Sequence, residues 1–305
     1  MYLHNFGHSV EVHAPAKLNL FLEVLARRSD GYHDLETLMT AVDIFDTLHF
    51  TPLRAGEPLE LNCRWACGSQ ASGDLPAGPE NIVVQALVRL QEVADVQRGA
   101  RVDLCKRIPS SAGLGGASSD AAAALLAANT AWGLNWTRCQ LAEVAAEIGS
   151  DVPFFLFGGT AICRGRGEQV TPLPAVPPMH FVVVRPPEGI STAEAFRNCQ
   201  PAHNPLGVDE IAKALCDGSS RSWVPLMENR LQEVAEGMSP WIDRLAQWFR
   251  RFGFLGHQMS GSGSSYFGVC RHARHARRLA AVLRGLQLGH VFCARSLSAR
   301  PVYSA

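Results

Sequence analysis

Residues 108–120 read Ile-Pro-Ser-Ser-Ala-Gly-Leu-Gly-Gly-Ala-Ser-Ser-Asp, a loop rich in glycine and serine. The hydrophobic pattern predicts a strand before this loop, at 101–108, and an alanine-rich helix after it, at 119–132. Glycine allows positive φ and lets a ligand approach the backbone amides closely. The first amides of a helix are unpaired and carry partial positive charge, so the stretch predicts an anion site.

Two common phosphate-binding motifs do not fit this loop. A Walker loop would end in Gly-Lys-Ser or Gly-Lys-Thr, and this loop does not. The dinucleotide fingerprint requires Gly or Ala where Ser118 stands, and an acidic residue about twenty positions on, where Gly133 stands. Taken alone, the loop is equally compatible with a strand-to-helix turn that needs glycine for packing.

The composition excludes several classes of protein. The chain has 305 residues, 28 basic and 28 acidic side chains, and 47% hydrophobic residues. This hydrophobicity excludes disorder, and the length predicts two domains or one large domain. Nucleic-acid binding requires a surplus of Lys and Arg, so we expect no nucleic-acid partner. No apolar run reaches the roughly 18–20 residues that cross a bilayer, so we expect no membrane partner.

The cysteines and the first residues predict a cytoplasmic protein. Nine cysteines are scattered without a disulfide or zinc-finger pattern, which is typical of reduced thiols. The N-terminal residues lack the basic and apolar regions of a signal peptide. A metal role for Cys63 and Cys67 is poorly supported, because no second cysteine pair accompanies them.

Strand and helix signals are mixed along the chain, which predicts an α+β fold in two domains. A proline cluster at 172–178 is stiff and extended, as domain boundaries often are. We therefore place the boundary between residues 174 and 175, giving an N-terminal domain 1–174 and a C-terminal domain 175–305.

Two further segments carry charged side chains among apolar ones. In the predicted strand at 10–25, alternation places Leu18, Leu20 and Leu22 on one face and Lys17 with Asn19 on the other. The alternative is an edge strand whose lysine deters aggregation. Asp151 precedes the apolar run 152–157, where it is either a helix cap or a carboxylate at the rim of a dry pocket. In the second case Lys17 is its natural partner.

Three motifs in this order resemble the GHMP small-molecule kinases. They are 15–20 (Pro-Ala-Lys-Leu-Asn-Leu), 109–121, and 259–264 (Met-Ser-Gly-Ser-Gly-Ser). Segments 30–33 (Asp-Gly-Tyr-His) and 149–154 (Gly-Ser-Asp-Val-Pro-Phe) are similar to the branch that phosphorylates a cytidine diphosphate ester of a sugar alcohol in non-mevalonate isoprenoid synthesis. Ser111 and Ala117 depart from the usual Ala and Gly, and the loop 54–78 looks longer than usual.

The resemblance implies a two-domain fold with ATP and substrate bound in the cleft between the domains, and it implies Mg²⁺ without assigning its ligands. Asp151 corresponds to the catalytic acidic residue and Lys17 to its partner. The loop residues implied to bind ATP are Pro109, Ser110, Ser111, Ala112, Gly113, Leu114, Gly115, Gly116, Ala117, Ser118 and Ser119. Asn81 and Lys106 correspond to positions near the adenine. The positions implied to contact the small-molecule acceptor are Asn19, Tyr32, His33, Thr192 and Phe196.

The sequence is therefore compatible with three functions. The preferred one is the ATP-dependent kinase of the cytidine diphosphate ester. The second is a homoserine or mevalonate type of kinase with the same fold, which segment 30–33 disfavours. The third is a catalytically inactive binding module, which the presence of Lys17, Asp151 and both glycine loops disfavours.

Overall fold

Strands and helices are mixed along the chain and the sheets are largely antiparallel, as expected for the predicted α+β class. The structure is a computed structural model that describes residues 1–68, 75, 76 and 78–298. Its strands are β1 (Tyr2–Asn5), β2 (Val10–Arg27), β3 (His33–Ala55), β4 (Leu59–Trp65), β5 (Arg98–Lys106), β6 (Thr160–Gly165), β7 (Gln169–Pro172), β8 (His180–Arg185), β9 (Glu228–Asn229), β10 (Gly256–Met259), β11 (Tyr266–Cys270) and β12 (His290–Arg295). Its helices are α1 (Ile82–Ala94), α2 (Gly116–Ala131), α3 (Arg138–Ile148), α4 (Val152–Phe157), α5 (Thr192–Asn198), α6 (Val208–Cys216), α7 (Ser220–Trp223), α8 (Gln232–Met238), α9 (Pro240–Arg251) and α10 (Ala273–Gly285), with a short 3₁₀ helix at Val224–Leu226.

The larger sheet is organised around two long strands, β2 and β3, of 18 and 23 residues. They pair antiparallel, and β5 and β4 continue the sheet beyond β3 in the order β1-β2-β3-β5-β4. Elsewhere along these strands, β6 pairs with β3, and β9 pairs with β2 in parallel. At Lys17, β3 pairs with one side of β2 and the glycine-rich loop covers the other, so this lysine is 4% exposed and the interpretation as a solvent-facing edge strand is wrong.

The predicted alternation along β2 holds for Leu18 and Leu20 but is wrong for Leu22. The pairing of β2 with β3 has a β-bulge at Leu20. Asn19 pairs with Met39 and Phe21 pairs with Leu38, so Leu20 is the extra residue. An extra residue in one strand reverses the facing of the residues after it. Phe21 therefore joins Leu18 and Leu20 in one core, while Leu22 packs in another.

Helix α2 is buried along most of its length against the larger sheet and helices α1 and α4. Its alanines from 121 to 124 are fully buried, and such small side chains allow the helix to lie close to β2 and β3. The N-terminus of α2 is fixed over β2, where the main-chain amide of Lys17 donates to the carbonyl of Leu114 at 2.9 Å.

The smaller sheet is antiparallel, in the order β10-β11-β8-β12, and it shares a core with the larger one. Leu18 and Leu20 of β2 belong to the same buried cluster as Phe181 of β8 and Phe267 of β11. Packing between the sheets therefore fixes the second half of the chain against β2. The predicted boundary at 174/175 falls between β7 and β8 and stays a prediction.

Two sequence expectations about local structure need correction. The predicted loop 54–78 contains β4, whose alternating residues Leu59 and Leu61 pack against the core beside β5; residues 69–74 and 77 of that loop lie outside the described residues. The sequence pattern also predicts a helix near 227–235, but the helix begins only at Gln232. Glu228 and Asn229 form β9 instead, where the Asn229 side chain donates to the carbonyls of Met259, at the end of β10, and Gly261, in the loop after it, both at 2.9 Å.

Candidate active site

A cleft of about 890 Å³ lies between the glycine-rich loop, strand β2 and helix α5. The predicted residues that line it are Lys17, Asn19, Tyr32, His33, Lys106, Pro109, Ser110, Ser111, Ala112, Gly113, Leu114, Gly115, Gly116, Ala117, Ser118, Asp151, Thr192 and Phe196. The structure thus brings together residues from widely separated parts of the sequence. Asn81 and Ser119 are not among the lining residues.

The glycine-rich loop has the backbone that its sequence predicts. Gly113 and Gly115 have φ of +71° and +69°, a region that other residues rarely adopt. A Cβ atom on Gly113 would lie 2.0 Å from the carbonyl oxygen of Ser260, so the glycine is also needed for packing. Gly115 caps α2 without a side-chain hydrogen bond, and this leaves the first helical amides available to an anion.

The second glycine loop, residues 260–265, supports the first loop directly. The Ser260 hydroxyl donates to the carbonyl of Gly113 at 3.0 Å and accepts from the amide of Asn19 at 3.3 Å. The amide of Ser265 donates to the carbonyl of Ala112 at 3.1 Å. The third sequence motif therefore holds the first two in place.

Lys17 and Asp151 meet in the cleft. Lys17 Nζ lies 3.4 Å from Asp151 Oδ2 and donates to Asn19 Oδ1 at 2.5 Å. The lysine side chain is 5% exposed, whereas that of Asp151 is 35% exposed and faces the cleft. Asn19 Nδ2 donates in turn to Thr37, which orients the amide oxygen toward the lysine.

Asp151 precedes α4 but its side chain makes no capping hydrogen bond to that helix. The simple helix-cap interpretation is therefore wrong. The carboxylate is paired with a buried cation and remains open to the cleft on its other side. It is placed to accept a hydrogen bond from a hydroxyl group bound there.

Lys106 lies between two buried carboxylates under the glycine-rich loop. Its Nζ donates to Asp46 at 2.5 Å and also to Asp120. Burial would lower the pKa of Lys106, but the charges of Asp120 and Asp46 raise it above its ordinary value. Burial raises the pKa of Asp120 to about 8, against the opposing influence of Lys106. The Lys106 ammonium group is thus packed between two acidic side chains in a nearly dry site.

Asp46 also fixes the start of the glycine-rich loop. Its carboxylate accepts hydrogen bonds from the main-chain amides of Arg107 and Ile108, the latter at 2.8 Å. Sequence reasoning missed this residue, because its contacts depend on the pairing of β3 with β5 some sixty positions away. An aspartate inside a predicted apolar strand is the feature of the sequence that could have indicated a role for Asp46.

The other end of the cleft is aromatic. The rings of His33 and Phe196 stack with centroids 5.5 Å apart, and Tyr32, which is 53% exposed, lies beneath the guanidinium of Arg166 at 5.0 Å. Burial, and secondarily the charge of Arg27, lower the pKa of His33, so its ring is neutral near pH 7. A neutral imidazole offers one hydrogen-bond donor and one acceptor.

Three remaining predicted residues have partners of their own. Thr192 bonds to Ser262 at 2.8 Å, which links α5 to the second glycine loop. Asn81 caps α1 by accepting from the amide of Val83 at 2.8 Å. Ser119 Oγ is buried and has no hydrogen-bond partner within the described part of the chain. The adenine contacts predicted for Asn81 and Lys106 stay predictions.

The sequence of the chain matches two family models and several known proteins. Residues 81–159 match the GHMP kinases N terminal domain, and residues 211–286 match the GHMP kinases C terminal domain. A 4-diphosphocytidyl-2-C-methyl-D-erythritol kinase of Pelotomaculum thermopropionicum is 41% identical over 273 residues, 89% of this chain and 92% of that protein. One from Geobacillus thermodenitrificans is 37% identical over 95% of this chain and 98% of its own.

Solved structures with the same fold include a close and several distant relatives. A crystal structure of 4-(cytidine 5'-diphospho)-2C-methyl-D-erythritol kinase is 37% identical, with a TM-score of 0.77 over 94% of this chain and 98% of that one. A homoserine kinase from Cytophaga hutchinsonii is 20% identical, with a TM-score of 0.70 over 98% of this chain and 97% of that one. At this lower identity the likeness concerns the fold alone.

Proposed function

The chain belongs to the GHMP kinase family, and we propose that it transfers the γ-phosphoryl group of ATP to the 2-hydroxyl of 4-diphosphocytidyl-2-C-methyl-D-erythritol. This reaction lies in the non-mevalonate (methylerythritol phosphate) route to isoprenoid precursors. The observation that carries the proposal is the Lys17–Asp151 pair, set between an anion-binding glycine loop and an aromatic slot. Relatives that are 36–41% identical over most of the chain bear the name of this kinase.

Phosphoryl transfer depends mainly on positioning and on stabilising charge. In this proposal the amides of the glycine-rich loop hold the ATP phosphates. Asp151 accepts a hydrogen bond from the acceptor hydroxyl, orients it toward the γ-phosphorus and takes its proton. Lys17 holds the Asp151 side chain in position and places a positive charge beside the transferring group. Asn19 keeps the ammonium group in position.

Mg²⁺ forms part of the same proposal. This ion is usually held by nucleotide phosphates and one or two protein oxygens, so a three-ligand protein cluster is not needed. The hydroxyls at the start of α2 fit such a role, since Ser118 lines the cleft and the buried Ser119 Oγ has no partner in the described part of the chain. When bound, the ion neutralises part of the phosphate charge.

The acceptor's cytidine would occupy the aromatic end of the cleft. Tyr32 and Phe196 offer flat faces on which a base can stack, and His33 offers hydrogen bonds to its polar edge. Stacking accepts any base, so selection of cytosine would depend on His33 and nearby backbone groups. Thr192 and its partner Ser262 lie beside this slot.

The predictions about membranes, cellular location and macromolecular partners have less support than the predicted activity. No helix in the described part of the chain is long and apolar enough to cross a membrane. The cytoplasmic location and the absence of a nucleic-acid partner stay predictions, and the sequence does not predict the number of subunits.

A substrate panel tests the proposed function. Purified protein is given ATP and Mg²⁺ with 4-diphosphocytidyl-2-C-methyl-D-erythritol, homoserine or mevalonate, and ADP release is followed. We expect kcat/KM for the first to exceed the others by about 10⁴-fold, because a site built on hydrogen bonds rejects ligands that leave its polar groups unpaired. Faster turnover of homoserine or mevalonate would support the second function, and no ADP release with any acceptor would support a binding module.

A further inference from the structure

A second cavity, of about 700 Å³, lies behind the glycine-rich loop. It is bounded by the start of that loop at Pro109 and Ser110, by the end of β8 at Arg185, and by the segment from α10 to β12 that contains Arg284 and His290. We call it the basic cavity. It shares Pro109 and Ser110 with the active-site cleft, and its other lining residues differ from those of the cleft.

The charged groups of the basic cavity all have the same sign. They are Arg185 and Arg284, and none of the described residues that line the cavity is acidic. Burial, and then the charges of these two arginines, lower the pKa of the lining residue His290, so its ring is neutral near pH 7. The guanidinium groups donate only to main-chain carbonyls, Arg185 to Pro187 at 2.8 Å and Arg284 to Val291 at 3.2 Å. Within the described part of the chain, neither arginine has a carboxylate partner.

Two buried nitrogen atoms at this cavity have no hydrogen-bond partner among the described residues. They are Nε of Arg185 and Nδ1 of His290. Burial lowers the pKa of the Arg185 guanidinium, which reflects the cost of placing a cation where no anion compensates it. An anion bound in the cavity beside Arg185 would offset the cost of its uncompensated charge.

The volume and the donor geometry indicate the class of ligand. Cavities of about 300–1,000 Å³ are typical of small-molecule sites. Guanidinium groups bind phosphate oxygens through paired N–H donors, and the Ser110 hydroxyl adds a further donor at the loop. We propose that the basic cavity binds the phosphate or diphosphate group of a small molecule other than the two substrates. Its ligand would contact the first residues of the glycine-rich loop from the side opposite to ATP.

The test uses inorganic pyrophosphate as the probe and isothermal titration calorimetry as the readout. Pyrophosphate also suits the glycine-rich loop, so the full chain is first saturated with a nonhydrolysable ATP analogue and the acceptor. We expect one further equivalent of pyrophosphate to bind per chain. Arg185→Gln and Arg284→Gln should each weaken it by about tenfold or more, the usual value of a charge-assisted hydrogen bond.

Arg274→Gln is the matched control, because it removes the same charge from an exposed position on α10 away from the cavity. It should leave pyrophosphate binding unchanged. Arg284 is exposed near the end of the same helix, so its variant should fold and keep the parental kinase rate without pyrophosphate. The proposal is overturned if the saturated protein binds no pyrophosphate, or if Arg284→Gln binds it as tightly as the parent. Neither result bears on the proposed kinase reaction.

Discussion

Asp46 is expected to couple the stability of the protein to its affinity for ATP. It is fully buried in β3, and its carboxylate accepts hydrogen bonds from Lys106 Nζ and from the amides of Arg107 and Ile108. Asp46→Asn keeps the shape of the side chain but replaces one acceptor oxygen with a donor. At least one of these three donors then loses its partner and faces another donor.

The magnitude follows from these contacts. Leaving one buried donor unsatisfied costs about 1–3 kcal/mol, and breaking a buried ion pair costs about 3–5 kcal/mol. Asp120 still accepts a hydrogen bond from Lys106 in the variant, and this contact offsets part of the loss. We therefore expect Asp46→Asn to lower the free energy of unfolding by about 2–4 kcal/mol. We also expect the KM for ATP to rise by about tenfold, since a small misplacement of a positioning group costs up to about 10²-fold.

Urea denaturation at pH 7 and steady-state kinetics with each substrate varied measure the two effects. Asp103→Asn is the control, because Asp103 is exposed on the neighbouring strand β5 and bonds to Asn62 at the surface. It should change the free energy of unfolding by less than about 0.5 kcal/mol. An Asp46→Asn protein with parental stability and parental KM for ATP would refute the role assigned to this residue.

Three further variants test separate parts of the site. Phe196→Ala should weaken acceptor binding by about 10- to 100-fold through lost stacking while the KM for ATP is unchanged; an unchanged acceptor KM would place the cytidine elsewhere. Burial raises the pKa of Asp120 to about 8, so protonated Asp120 contributes stability that is lost as pH rises from 5 to 7, by up to about 1.4 kcal/mol per unit. Histidines whose pKa is lowered by burial, such as His33 and His257, change the stability in the opposite direction, so the prediction is that Asp120→Asn removes this negative part of the slope relative to the parent. If urea titrations show equal slopes for both proteins, Asp120 is not protonated in the fold. Gly115→Val should raise the KM for ATP and also lower kcat, because φ is +69° and its Cβ would lie within 3 Å of both Lys17 and Phe155; an unchanged kcat would show that Lys17 does not move.

The sequence predicted those parts of the fold that depend on local pattern. Glycine spacing and the alanine-rich run located the loop and α2, and the structure begins the helix three residues earlier than predicted, at Gly116. The family, the α+β class and the kinase activity are confirmed by the matches to known proteins. The roles of the individual site residues stay predictions.

The features that sequence reasoning missed depend on long-range packing. The bulge at Leu20 reverses the facing of Leu22, and hydrophobic alternation alone gives no sign of it. Glu228 and Asn229 form β9 rather than a helix, and the Asn229 side chain donates to the carbonyls of Met259 and Gly261. Arg166 lies over the ring of Tyr32 because it is in the turn of the hairpin of β6 and β7, and β6 pairs with β3. In each case the deciding partner is more than fifteen residues away.

Asp151 has the central position in the proposed chemistry, and its contribution is separable from binding. General-base and positioning roles each contribute about 10²–10⁴-fold to rate. Asp151→Asn preserves the shape of the side chain and removes the charge that accepts the proton. The side chain caps no helix, and Lys17 keeps its hydrogen bond to Asn19, so the variant should still fold, with a loss of stability that comes from the unpaired lysine.

The most direct test is therefore a single-turnover measurement with both substrates saturating, in which the transfer of phosphate from labelled ATP to 4-diphosphocytidyl-2-C-methyl-D-erythritol is followed by rapid quench. We predict that Asp151→Asn slows this step by at least about 10²-fold and changes the KM values far less. A parental transfer rate in a folded Asp151→Asn protein would contradict the proposed role of the Lys17–Asp151 pair.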